Sequence, residues 1–151
     1  MFFEALRDRA NKIKSINIDK LLREIWSDPF TQDLIIRLNT EEQLFFGLKS
    51  NGENLPPYRN QDYFEQKQSF GLAPSGNINL KLSGRFFKTF QVIPNSIGFL
   101  IDANTNLYPD SGDFIEVYGL DILGLNETNT SKLAFHLQEE LQIRIRAIIG
   151  V

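Results

Sequence analysis

Cysteine is absent from this 151-residue sequence. That removes a disulfide framework, a thiolate nucleophile and any Cys-ligated metal, and it is compatible with a reducing cytosol. Histidine occurs once, at His136. A zinc site would therefore need carboxylates to complete it. His136 stands one residue before an apolar position of the last helical pattern and reads as a boundary residue. No Gly-x-Ser-x-Gly elbow accompanies it, and no Gly-Lys-Ser/Thr follows Gly71 or Gly84, so neither a hydrolase triad nor a phosphate loop is indicated. Charge of one sign is also lacking. Sixteen basic residues face 19 acidic ones, for a net charge of −3, where a general nucleic-acid binder would show a basic patch or stripe. No apolar run reaches the roughly 18 residues of a membrane span. The opening MFFEALRDRANK puts charge after apolar residues, the reverse of a signal peptide, so no leader is expected. The residues point to no catalytic, cofactor-binding or metal-ligating site.

What is present is a phenylalanine-rich chain, with 13 Phe and 42% hydrophobic residues, enough to bury a core in one domain. Spacings of three and four at Phe2, Phe3, Leu6, Ala10 and Ile13 predict an amphipathic helix over 2–14. Its other face holds Glu4, Arg7, Asp8, Asn11 and Lys12. Asn17 caps a second pattern at Ile18, Leu21, Leu22, Ile25 and Trp26. Asp28-Pro29 is a strong start signal for a third helix through Phe30, Leu34, Ile35 and Leu38. Thr40-x-x-Gln43 has the form of a capping box. Leu44–Leu48 fits either a short helix or an extended segment, with Gly47 near its end.

Residues 49–60 read as a loop, with Asn51-Gly52 a tight-turn pair and Pro56-Pro57 excluding helix. A short helix over 62–69 takes Asn60 as its cap. A connection as long as 49–79 is uncommon unless it has a job. It fits a surface loop pinned by Tyr58, Tyr63 and Phe64, or an arm laid on a neighbouring subunit.

The centre of the chain is Asn79–Ala103. Its three apolar runs, broken at Ser83-Gly84 and again at Asn95-Ser96, predict the middle of an antiparallel sheet. Pro94 cannot donate to a ladder. A turn-rich 104–112 follows, in which Asp110-Ser-Gly-Asp113 lacks the spacing of a calcium loop and reads as a turn. Phe114–Tyr118 predicts a helical turn stopped by Gly119. Asn126 caps a last helix whose stripe is Leu133, Leu137, Leu141, Ile145 and Ile148. Arg144 and Arg146 are placed on its wetter side, and Glu41-Glu42 and Glu139-Glu140 read as solvated charge. The expected fold is one α+β domain, a small antiparallel β-sheet packed by N-terminal and C-terminal helices. Its parts are N-terminal helices over 1–39, a loop-rich arm over 40–78, a sheet core over 79–125 and a C-terminal helix over 126–151.

The order of segments resembles the phage virion morphogenesis or tail-completion family of Mu-like and related tailed phages. Leu55-Pro56-Pro57-Tyr58 with Lys67 downstream resembles its Pro-Leu-Ser or Pro-Tyr-Ser element. Leu80–Phe90, LKLSGRFFKTF, resembles its Leu-x-x-Thr-Gly-x-Leu-x-x-Ser-Ile segment. Here Ser83 takes the place of Thr, and Thr89-Phe90 the place of Ser-Ile. Ile122-Leu-Gly-Leu-Asn126 resembles the Phe-x-Gly-Leu-Ser segment before the final helix. Asn39–Leu44 with Gly52 is similar to neck proteins of phages infecting Bacteroides-type hosts, including the crAss-like group. The resemblance spans roughly residues 34–149. It implies a structural, non-enzymatic subunit of the virion neck or tail, assembled in the host cytoplasm as a homo-oligomeric ring between portal and tail. Its partners would be the portal and other neck or tail proteins, with DNA only passing through the channel and no membrane.

Surplus aromatics at Phe2, Phe3, Tyr58, Tyr63, Phe64, Phe70 and Tyr108 are the candidate oligomer contacts, because a monomer would leave some of them exposed as a patch. Two other readings compete. A monomeric protein-binding adaptor would leave an unpaired sheet edge. A small enzyme would gather carboxylates in a cleft.

Overall fold

A computed structural model describes residues 1–151. Six α-helices and one two-stranded sheet make an α+β fold: α1 Phe2–Lys14, α2 Ile18–Ser27, α3 Pro29–Thr40, α4 Gln61–Ser69, β1 Gln91–Asn95, β2 Gly98–Asp102, α5 Phe114–Tyr118 and α6 Glu127–Ile149. Helix starts follow local chemistry. Asn17, Asp28, Asn60 and Asn126 each accept the N3 backbone N–H of their helix at 3.0 Å, one of the orphan donors that a helix start leaves. Thr40 is different. It closes α3 with its hydroxyl donating to the Ile36 carbonyl at 2.7 Å, so Thr40 and Gln43 form no capping box. Leu44–Phe46 is a single 3-10 turn ended by Gly47 at φ +75°.

The sheet is smaller than the sequence predicts. β1 and β2 pair antiparallel from Gln91↔Asp102 to Asn95↔Gly98, and they are its only strands. The first apolar run, before Ser83-Gly84, and the start of the second, as far as Phe90, do not join them. Asn79 Oδ1 accepts from Lys81 N at 3.2 Å and Ser83 Oγ from Arg85 N at 3.4 Å. These side chains divert backbone donors from a ladder into local turns. Leu80 is left at φ +57° and Gly84 at +79°, both outside strand geometry. The stretch ends in a 3-10 turn at Phe87–Thr89. The sheet core expected over 79–125 is thus a hairpin flanked by turns and followed by the short helix α5.

Two apolar clusters form the interior. Trp26, Ile35, Leu38, Val92 and Leu133 join α2, α3, β1 and α6. Leu44, Leu55, Leu80, Phe86, Phe90, Phe114 and Ile122 fill the loop-rich half. Phe86 centres the second cluster, with its ring edge-on to Phe90 at 5.1 Å and to Phe114 at 4.9 Å, a favoured aromatic geometry.

The 40–78 segment lies on its own body. Leu55 and Ala73 are buried, and Pro57 bridges to Asn77. Buried Asn79 gathers the segment: its amide donates to the Leu72 and Phe45 carbonyls at 2.7 and 3.2 Å, while its Oδ1 accepts from Lys67 Nζ at 2.7 Å and from the Tyr58 hydroxyl at 3.1 Å. A second set of buried amides fixes residues 122–126. Asn39 donates to the Ile122 carbonyl and accepts from Gly124 N at 2.8 Å; Gln43 donates to the Gly124 carbonyl and accepts from Asn126 N, both at 2.8 Å.

Candidate functional site: uncovered apolar surfaces

α1 is amphipathic as its spacing predicts, but none of its residues is buried. Phe2 and Phe3 are 70% and 81% exposed, and Leu6 and Ile13 are exposed as well. The helix touches the body along α6. Its elbow, Ser15–Asn17, shares a shallow cavity with Arg144, Ala147 and Ile148 near the end of α6. Arg144, placed on the wet side by the sequence pattern, is half-buried there. Its guanidinium reaches Glu24 at 3.5 Å and Glu140 at 3.8 Å, and Nε is buried without a partner.

The second surface is a groove of about 530 Å³ between β2, the 120–125 segment and the first half of α6. Trp26, Phe99, Leu100, Leu120, Leu133 and Leu137 are among its walls. The Trp26 and Phe99 rings are 5.0 Å apart. Leu100 and Leu120 are exposed. The groove is assembled from α2, β2 and the 120–137 stretch, which are distant in the chain, and the sequence pattern did not single it out. Its one local signal is the unbroken apolar run Phe99–Ile101, which a strand's period of two cannot turn to one face.

The third is a cleft of about 550 Å³ where Tyr58, Tyr63, Tyr108 and Tyr118 converge with Arg59; these are all the tyrosines of the chain. Burial pushes the Tyr58 phenol up to about 12 and raises those of Tyr63 and Tyr118, with Arg59 opposing the rise at Tyr118. Lys67 lies behind the cleft, its Nζ donating to the Tyr58 hydroxyl at 2.8 Å and lying 5.2 Å from the centre of that ring. It has no carboxylate within this network. Burial, then repulsion from Lys81, brings its ammonium down to about 8.

The predicted contact residues therefore separate. Phe2, Phe3 and Phe70 are exposed. Tyr58 and Phe64 stack on each other at 5.3 Å and are half-buried. Tyr63 and Tyr108 line the tyrosine cleft, and the Tyr108 hydroxyl lies 3.1 Å from Ser83 Oγ. His136 pairs with the Thr31 hydroxyl at 2.9 Å and packs against Phe30. Asp113 caps α5 and accepts from Thr105, so the 110–113 segment is a turn. No three His, Asp or Glu side chains gather as a metal-holding group, and no helix is long and apolar enough to cross a membrane. No model of a protein family, no curated protein and no solved structure matches this chain.

Proposed function

We propose that this chain is a structural subunit of the neck or tail-completion region of a tailed phage, which assembles as a homo-oligomeric ring between portal and tail and has no enzymatic activity. The observation that carries the reading is α1, a helix with an apolar stripe and no buried residue. An apolar face of this kind finds its stability in a contact beyond its own subunit. A ring needs such a contact between two different surfaces of one chain, with a rotation that closes.

The segments that carry the family resemblance also support a structural role. Asn39 and Gln43 of the 39–44 segment hold residues 122–126. Tyr58 and Lys67 of the 55–67 element meet at Asn79, beside the Leu80–Phe90 segment. These side chains are used in joining backbone segments. The mild negative charge suits a channel that must not retain DNA, since phosphate binding is driven by Lys and Arg.

The adaptor alternative rests on the hairpin. Each strand of a two-stranded sheet has a free edge. Pro94 removes one donor from β1, so β2 is the better edge for an added peptide strand.

Light scattering on the purified chain, alone and mixed with the portal and neighbouring neck proteins, separates these readings. The ring reading expects a ring-sized species, formed alone or on mixing. A chain that stays monomeric and joins no virion complex overturns it and leaves the adaptor.

A further inference from the structure

We infer that α1 of one copy seats in the apolar groove of the next, between β2, the 120–125 segment and the first half of α6; this contact rests on the ring reading and names its interface. The first argument is charge. α1 holds Arg7, Arg9, Lys12 and Lys14 against Glu4 and Asp8, so it carries +2 and leaves −5 on the rest of a chain whose net charge is −3. The distribution around the helix is sharper than the total. At about 100° per residue, Arg9 lies roughly 70° to one side of the apolar stripe, and Lys14 and Arg7 roughly 70–90° to the other. Glu4 and Asp8 lie about 150–170° away, on the opposite face. Lys12 pairs with Asp8 within the helix at 2.9 Å. The stripe is thus bordered on both sides by cations.

The segments that wall the groove carry carboxylates next to its wall residues in the chain. Asp102 follows its wall residue Ile101, Asp121 follows Leu120, and Glu127 precedes Thr130 by one helical turn. All three carboxylates are exposed. Asp102 accepts from the neutral Gln91 amide, and Asp121 from Ser50 and Asn51. Lys132, the nearest base on that part of α6, is already paired with Glu42. An apolar stripe between cations meets an apolar groove whose wall segments carry exposed carboxylates, which is the helix-in-groove mode of recognition with charges of opposite sign on the two partners.

Position and area fit a contact between copies. The α1 elbow sits beside Arg144, whereas the groove is centred near Leu133, roughly 16 Å back along α6 at 1.5 Å per residue. Phe2 and Phe3, at 70% and 81% exposure, offer about 300 Å² if an aromatic side chain buries about 200 Å². That is over a third of the about 800 Å² per partner in a stable interface, before Leu6, Ala10 and Ile13 are added. A basic amphipathic helix also fits an anionic lipid surface. The groove of matching sign on the same chain favours the second copy.

The contact is heterologous, so a mixing experiment tests it. Phe3→Asp spoils the helix and leaves the groove intact; Leu120→Asp spoils the groove and leaves the helix intact. Both side chains are exposed in the subunit, so its core is untouched. Arg9→Glu and Leu100→Asp are the second pair. In light scattering across concentration, the wild-type chain is expected to associate and each variant to do so at least about 30-fold more weakly, the effect of losing one hot-spot side chain. An equimolar mixture of Phe3→Asp and Leu120→Asp retains one working contact and is expected to give a heterodimer and nothing larger. A wild-type chain that stays monomeric, groove variants that associate like wild type, or a mixture that stays monomeric would each overturn the contact. So would helix variants that lose only binding to phosphatidylserine vesicles. The ring reading fails separately, if the wild-type chain neither associates nor joins the portal and neck proteins.

Discussion

Lys67 shows what a single residue does in this fold. It is 7% exposed and meets hydroxyl, amide and ring faces with no carboxylate. Its ammonium titrates near 8 in the folded chain, against an ordinary 10.5. Below about pH 8 both folded and unfolded chains hold the proton, and the folded one bears the full cost of a buried charge. Between about 8 and 10.5 the unfolded chain binds more protons, so stability rises with pH across that window. The increment is up to about 3 kcal/mol, because each tenfold loss of proton affinity on folding corresponds to about 1.4 kcal/mol. Lys67→Met keeps the length of the side chain and removes the titration. Denaturant unfolding of wild type and Lys67→Met from pH 7 to 10.5 is expected to show wild type gaining on the variant from pH 8 upward. Parallel curves would show that Lys67 is not the group responsible. The Tyr58 phenol, held up near 12, stays neutral throughout.

Among the elements, α1 stands apart. A helix of 13 residues with no buried side chain is at the marginal length for helices in water. Its amides are expected to exchange hydrogen fastest of all the helices in the dissociated chain, and to become protected on association. The amides of α3, whose Ile35 and Leu38 are fully buried, are expected to stay protected in both states. Exchange followed by mass spectrometry below and above the association concentration reads this directly. The same contrast explains what was legible in the sequence. All six helices were legible because caps, stops and periodicity are local: Asn17, Asp28, Asn60 and Asn126 each do what their side chains do in any chain, and Gly119 ends α5. The sheet expected to begin at Asn79 failed to do so because an apolar run could not show that Asn79 would bind Leu72 and the more distant Phe45 while turning its own backbone at Lys81. Thr40 and Gln43 misled for the same reason. Gln43 reaches Gly124 and Asn126, a partner that no local motif contains. The groove was illegible because its walls come from α2, β2 and the 120–137 stretch, far apart in the chain.

At the scale of the whole molecule, charge is divided between a basic helix and an acidic body, and in the proposed contact this division steers the two copies. Opposite potentials steer encounter and set its rate more than its final strength. The apolar stripe, by contrast, acts at contact and resists salt, so the two contributions separate in kinetics. The Phe3→Asp and Leu120→Asp heterodimer is the right object, because it holds a single contact and cannot grow. Stopped-flow mixing of the two variants is expected to show the association rate falling about tenfold between 20 mM and 500 mM salt, as screening shortens the reach of the charges from about 20 Å to a few ångströms. The dissociation rate is expected to change by much less. Adding Arg9→Glu to the Leu120→Asp chain, which supplies the working helix, should lower the association rate at low salt and flatten its salt dependence. A rate indifferent to salt would mean that the carboxylates of Asp102, Asp121 and Glu127 do not face the incoming helix. The stripe would then have to find its partner by apolar contact alone, and the groove would lose its claim over any other uncovered surface of the chain.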